Sequence, residues 1–226
     1  MRYKALLMDA DMTLYDFEAA ERTAIGCLFD ELGIDDPEAP KVYSRFSEAC
    51  WRDLEKGLLT QDELQVKRFR DLFAYYHLPH DAKAASERFA DHLSRQSQLL
   101  PDVLEVMQKL AALLPVSIVT NGIPKVQHGR FDRSPLRPLV RDLVISGEVG
   151  FFKPDPRLIE LALDRLGIAK EDALMIGDSL SSDILCAQNA RVDACWLNPH
   201  GKPCTLADPP EYTIASLNEI FDILEA

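Results

Sequence analysis

No stretch of this chain approaches the roughly 18 consecutive apolar residues that a membrane-spanning helix requires. The opening Met1-Arg2-Tyr3-Lys4-Ala5-Leu6-Leu7-Met8-Asp9 holds an apolar run too short for a secretory leader. Cysteine is sparse and scattered: Cys27, Cys50, Cys186, Cys195 and Cys204 form no C-x-x-C pair. That spacing excludes a zinc ribbon or a redox dithiol. The odd count suits a reducing compartment better than a disulfide framework, so a cytoplasmic protein is expected. Basic residues are short as well, 25 against 37 acidic ones in 226 residues, for a net charge of −12. Such a chain repels a nucleic-acid backbone, so neither a nucleic-acid polymer nor a membrane is an expected partner. A phosphate would have to be met by local groups or by a metal. Internal repeats and low-complexity linkers are absent too. What remains is ordinary globular material, 47% hydrophobic and 27% charged, enough for one large domain or one domain with an insertion.

Short apolar runs that stop at polar turns mark the organisation. Tyr3–Met8 stops at Asp9, Val116–Val119 at Thr120, Leu143–Ile145 at Ser146, Ala173–Ile176 at Gly177, and Ala194–Leu197 at Asn198. Helical patterns separate them at Asp102–Leu114, Pro156–Leu166 and Ser182–Ala190, and another closes the chain at Leu217–Leu224. Continuous apolar strands alternating with helices predict an α/β, Rossmann-like parallel sheet flanked by helices. Between about Asp16 and Gln98 the rhythm breaks. Only helical patterns occur there, around Ala19–Leu32, Pro40–Lys56, Gln61–Tyr76 and Asp81–Ser97, and Thr60 with Glu63 forms a capping-box signature. The expected division is a core of residues 1–15 and 99–226 and an all-helical insert of residues 16–98.

In an open parallel sheet, ligands bind beyond the carboxyl ends of the strands. The groups found there are Asp9-Ala10-Asp11-Met12-Thr13, Thr120-Asn121-Gly122, Lys153-Pro154, and Gly177-Asp178-Ser179 with Asp183. Several carboxylates gathered at one place repel one another unless a cation neutralises them. Mg²⁺ is the hard cation suited to a few carboxylates plus phosphate oxygens. Lys153 would add positive charge. Thr120 and the backbone N–H groups around Asn121 and Gly122 are candidates to hold phosphate oxygens. A carboxylate can attack phosphorus while a second one handles the proton.

These four motifs, in this order, resemble those of the haloacid dehalogenase (HAD) superfamily of phosphohydrolases. The resemblance implies Asp9 as nucleophile and Asp11 as general acid and base. It implies that Thr120 contacts the phosphoryl group and that Lys153 steadies nucleophile and phosphate, with Asn121 beside them in the phosphate-binding segment. Mg²⁺ would be held by Asp9, the backbone carbonyl of Asp11, and Asp178, with Asp183 supporting its water shell. Met12 departs from the family, which usually carries glycine or a small or acidic residue there. Asp11 separates phosphate chemistry from true dehalogenation, whose enzymes lack the second carboxylate. The stretches Trp51–Thr60, Leu143–Gly150 and Cys195–Asn198 further resemble the pyrimidine 5′-nucleotidases of this superfamily, including the noncanonical pyrimidine type. That implies a Mg²⁺-dependent phosphomonoester hydrolase acting on nucleoside monophosphates such as dUMP, dTMP and UMP, with the helical insert as a cap. Rival readings are a phosphatase of small sugar phosphates or phosphoglycolate-like esters, a phosphomutase, and a catalytically silent HAD-fold binding module. Oligomeric state is left open.

Other residues have plainer readings. For Asp183, a carboxylate in the first turn of a helix is also stabilised by the helix dipole alone. His77-Leu78-Pro79-His80 lacks the acidic or cysteine partners of a metal site, and its histidines are expected at the surface. Phe17, Phe46 and Trp51 are candidates for base stacking, but at helical spacing they read as core. Lys125 and Arg130 are expected to be solvated, and Ser146 and Glu148 to shape the loop leading to Lys153.

Overall fold

The computed structural model describes residues 1–225, with the side chain of Glu55 outside the description. In chain order the elements are β1 (Ala5–Met8), α1 (Phe17–Leu32), α2 (Ala39–Glu55), α3 (Gln61–Tyr75), α4 (Ala82–Leu93), α5 (Val103–Leu113), β2 (Val116–Thr120), α6 (Pro124–Arg133), β3 (Asp142–Ile145), α7 (Ser146–Val149), α8 (Arg157–Leu166), β4 (Ala173–Gly177), α9 (Leu185–Ala190), β5 (Asp193–Leu197), β6 (Tyr212–Ile214) and α10 (Ile220–Glu225). Contacts divide them into two compact units. One comprises, among the described residues, 1–17, 98–124 and 131–225. The other comprises residues 18–97 and 125–130. Among the described residues, no helix is long and apolar enough to cross a membrane.

The first unit is built on a six-stranded sheet in the order β3-β2-β1-β4-β5-β6, with every neighbouring pair parallel. Strands buried on both faces explain why their sequences read as continuous apolar runs. Successive side chains go to opposite faces. Leu6, Met8, Ile118, Leu174 and Ile176 pack with Val106, Met107 and Leu110 of α5 and Ile220 of α10. Leu7, Val119, Met175 and Trp196 pack on the other side with Leu158, Ile159 and Ala162 of α8 and Ala187 of α9. β1 lies between β2 and β4, so the direction of strand addition reverses beside it. The carboxyl ends of these three strands are therefore where the topology creates a crevice.

Four elements depart from the sequence reading, the first being α7, one helical turn at Ser146–Val149 where a loop was expected. β6 is too short, at three residues after Pro209-Pro210, to show a strand pattern; its pairing with β5 defines it. The predicted helix Ser182–Ala190 begins as a wide turn at Leu180–Ile184 before α9. α6, unpredicted, starts at Pro124, where the ring's fixed φ suits a first helical turn.

The helical unit buries rings from three helices. Tyr43, Phe69 and Phe89 lie 5.3–5.5 Å apart by ring centroids. The Arg68 guanidinium sits 4.8 Å from the Phe89 ring centre, where the ring face offers electrostatic compensation for a buried cation. The capping box forms: Glu63 N–H donates to Thr60 Oγ1 at 3.2 Å, and Thr60 N–H donates to Glu63 Oε2 at 2.8 Å. Part of α6 belongs to this unit, with Gly129 so close to Ser94 that a side chain has no room.

Candidate active site

Each strand end delivers its polar group by a simple local device. Asp9 extends β1 by one residue, its N–H donating to the Ile176 carbonyl of β4 at 2.9 Å. The chain then folds into a tight turn in which Leu14 and Tyr15 N–H both donate to the Ala10 carbonyl at 2.9 Å. Met12 occupies this turn at φ +64°, a left-handed conformation that suits glycine better than a long side chain. Asp11 lies in the same turn. At the end of β2, Thr120 is buried, and its Oγ1 accepts from Gly122 N–H at 3.1 Å. At the end of β4, the backbone carbonyl of Asp178 accepts from the Trp196 indole Nε1–H at 2.9 Å.

Lys153 joins these pieces. It sits in the irregular segment between α7 and α8, with its side chain 1% exposed. Its ammonium donates to Asp9 Oδ1 at 2.6 Å, to Asp183 Oδ1 at 2.6 Å and to the Val119 carbonyl at 2.8 Å. All three ammonium protons are thereby used. Asp183 Oδ2 accepts from Ser179 N–H at 3.0 Å, so both oxygens of this carboxylate are engaged. Gly177 makes room for it: a Cβ at that position would overlap the Asp183 side chain. The Asn121 side-chain amide meets the Lys153 backbone, Nδ2 donating to Lys153 O at 2.9 Å and Oδ1 accepting from Lys153 N–H at 2.8 Å.

Burial and crowding set the protonation. Asp9, 7% exposed, is held well above the usual carboxylate range, first by desolvation and then by the Asp183 charge, with Lys153 opposing. Desolvation and Asp183 push Asp178 up to about 7. Burial alone would lower Lys153, but the Asp183 and Asp9 charges beside it outweigh that and raise it, so it stays an ammonium. Carboxylate oxygens of Asp9, Asp178 and Asp183 all lie within 4.8 Å of one another, the one such group able to hold a cation among the described residues. Three hard oxygen donors with a single ammonium leave excess negative charge. That donor set fits Mg²⁺ or a similar divalent cation.

Of the sequence candidates, Asp9, Lys153, Asp178 and Asp183 are thus brought together. Asn121 and Thr120 sit on the adjoining strand end, and Asp11 on the turn after Asp9. The Asp11 carboxylate is not part of the three-carboxylate group. Its charge nonetheless contributes to raising both Asp9 and Asp178. Two supports escaped the sequence reading, the Trp196 indole and the Val119 carbonyl; Gly177 was named with its motif, but not its part in leaving room for Asp183. Gly177 had a visible signal, a glycine directly before an aspartate at a strand end. The expectation of a solvated Arg130 is corrected: Arg130 is fully buried, and its Nε donates to the Gln96 carbonyl at 2.8 Å. Lys125 is largely exposed and pairs with Asp91 at 2.5 Å. His80 packs 5.3 Å from the Phe73 ring, and neither it nor His77 joins a metal-binding group among the described residues.

Fold and site together define a class: a parallel α/β sheet with a lysine-bridged carboxylate cluster at its switch point. Residues 6–197 match the family described as haloacid dehalogenase-like hydrolase. The chain is 34% identical over 225 residues to the HAD-hydrolase YfnB of Bacillus subtilis (strain 168), covering 99% of this chain and 96% of that protein. It is 35% identical over 228 residues to the pyrimidine 5′-nucleotidase PynA of Streptococcus pneumoniae (strain ATCC BAA-255 / R6), covering 100% and 96%. Against the pyrimidine 5′-nucleotidase YjjG of Escherichia coli (strain K12) it is 29% identical, covering 99% of each. A crystal structure of YfnB bound to magnesium superimposes with a TM-score of 0.93 at 33% identity, over the full length of both chains. The chain belongs to the haloacid dehalogenase-like hydrolases, and it is an enzyme of the phosphoric monoester hydrolase class.

Proposed function

We propose that this enzyme is a Mg²⁺-dependent 5′-nucleotidase that removes phosphate from pyrimidine nucleoside monophosphates through an aspartyl-phosphate on Asp9. The observation that carries the chemistry is Asp9, buried and held through Oδ1 by Lys153, with Asp11 two residues away. The substrate class rests on likeness to two pyrimidine 5′-nucleotidases that runs through the helical insert as well as the core.

In the first step Asp9 Oδ2 attacks phosphorus, the ester P–O bond breaks, and the leaving oxygen takes a proton from Asp11. In the second, Asp11 accepts a proton from a water whose oxygen attacks phosphorus. The bond to Asp9 then breaks, releasing inorganic phosphate and restoring both carboxyl groups. Lys153 orients Asp9 and offsets charge on the phosphoryl oxygens. Thr120 Oγ1, which itself takes the Gly122 N–H, and the backbone N–H of Asn121 are the phosphate donors at the β2 end. Asp9, Asp178 and the Asp11 backbone carbonyl would hold Mg²⁺, with Asp183 beside them, and the cation supplies positive charge against the carboxylates and the substrate phosphate. The helical unit serves as the cap that selects the organic half of the substrate and keeps out water.

The test is phosphate release with Mg²⁺ from dUMP, dTMP, UMP, AMP, GMP and several sugar phosphates, with EDTA and Asp9→Asn controls. Preference for pyrimidine monophosphates, lost in both controls, is expected. Preference for sugar phosphates would overturn the substrate class and keep the mechanism. Full turnover by Asp9→Asn would remove the nucleophile assignment.

A further inference from the structure

Lys153 is the hinge of the site, yet no regular element carries it: it lies between the end of α7 at Val149 and the start of α8 at Arg157. A buried loop residue must still pair its own backbone N–H and C=O. Both pair with one side chain, the amide of Asn121. A planar group that takes the N–H and the C=O of the same residue fixes both peptide planes around its Cα. The direction in which the Cα–Cβ bond leaves the backbone is then set. The far end of the side chain is set too, because Lys153 Nζ donates to the Val119 carbonyl at 2.8 Å. Val119 and Asn121 flank Thr120 at the end of one strand. The end of β2 therefore grips Lys153 at both ends, across 32 residues of sequence. The remaining reach of the amide is toward Ser182 Oγ, 3.5 Å from Nδ2 and next in sequence to Asp183.

We infer that Asn121 is a positioning residue whose side-chain amide places the Lys153 ammonium between Asp9 and Asp183, while its contribution to phosphate is confined to its backbone N–H. A phosphate oxygen accepts hydrogen bonds and could meet only the Nδ2 protons. One of these is committed to Lys153 O, and the other lies toward Ser182. This inference rests on the proposed role of Lys153 in steadying the nucleophile. Misplacing a catalytic group by about 1 Å costs roughly 100-fold in rate. The expected signature of losing the brace is therefore a fall in turnover without a fall in phosphate affinity.

The experiment compares wild type, Asn121→Ala and the near-isosteric Asn121→Asp with p-nitrophenyl phosphate and Mg²⁺. It reads kcat, KM, inhibition by inorganic phosphate, and Tm. Asn121→Ala is expected to lose about 10- to 100-fold in kcat, with KM and the phosphate inhibition constant within about 3-fold of wild type. Asn121→Asp keeps the acceptor for Lys153 N–H and is expected to lose kcat in the same pattern; it carries the test if the alanine variant does not fold. A rise in KM and in the phosphate inhibition constant that matches the loss of kcat/KM would overturn the inference and make the amide a phosphate ligand. Turnover within 2-fold of wild type in both variants would also overturn it. An inactive wild type would overturn the phosphatase reading and this inference with it; an active wild type with unaffected variants would sink this inference alone.

Discussion

Replacing Lys153 by Met is the sharpest perturbation of the site, because it keeps most of the stem and removes only the ammonium. In the folded protein that group makes two 2.6 Å ion-pair hydrogen bonds, to carboxylates whose side chains are 10% and 2% exposed. Without it, Asp9 and Asp183 face each other with no cation between them. Removing one partner from a buried ion pair typically costs about 3–5 kcal/mol. We expect a loss of that order at pH 8 in EDTA, where no divalent cation can substitute. The pH dependence follows from the carboxyls. Asp9 is already held above its ordinary value, first by burial and then by Asp183, and Lys153 pulls it the other way. In the variant its folded value rises further above the unfolded one. The folded variant therefore binds the extra proton more tightly than the unfolded chain, and its stability falls as pH rises above the ordinary carboxylate range. The gap between wild type and variant should be small near pH 4–5 and full by pH 8. Guanidinium unfolding at both pH values, with turnover of p-nitrophenyl phosphate measured in parallel, checks this. A variant as stable as wild type at pH 8, or a gap that widens on acidification, would refute the reasoning. Turnover with Mg²⁺ is expected to fall by at least about 100-fold.

Gly177→Ala puts a methyl group into the space of the Asp183 side chain, which is tied to Lys153 and to Ser179 N–H. Overpacking of this kind costs about 1–3 kcal/mol, and a displaced Asp183 should lower turnover as well; unaltered Tm and activity would show that the pocket gives way freely. Asp178, held up at about 7 first by desolvation and then by the Asp183 charge, binds its proton more tightly in the folded state. The metal-free protein should therefore lose stability as pH rises from about 4 through 7, and the gain in Tm on adding Mg²⁺ should grow over the same range. Equal gains at pH 5 and pH 8 would count against it. Thr60→Ala removes the acceptor for Glu63 N–H at the start of α3 and should cost about 1 kcal/mol. Faster amide exchange at residues 61–64 would report that loss, and unchanged exchange there would argue against a working cap.

Much of this protein is legible along the chain because its signals are local. Five of the six strands announce themselves as apolar runs cut off by a polar residue, since burial on both faces leaves no room for alternation. The break in that rhythm marks the helical insert, and the Thr60–Glu63 pair marks where α3 begins. Asp9, Thr120, Asn121 and Asp178 were found because each sits at a strand end or one position past it; Asp11 and Asp183 follow within the same motifs, and Lys153 stands in a Lys-Pro dipeptide farther from its strand. What stayed hidden depends on partners far away in sequence. β6 is a strand only because β5 offers an edge to its three residues. Arg130 reads as a surface cation until its Nε is seen on the Gln96 carbonyl. The value of Asn121 lies in Lys153, 32 residues on, and that of Lys153 in Asp9, 144 residues back. The sequence by itself determined which elements form and which polar groups end the strands, because propensity, capping and apolar runs act over a few residues. The order of strands in the sheet decided which of those groups meet, because no local interaction carries the distance between loops that only parallel pairing and packing bring side by side.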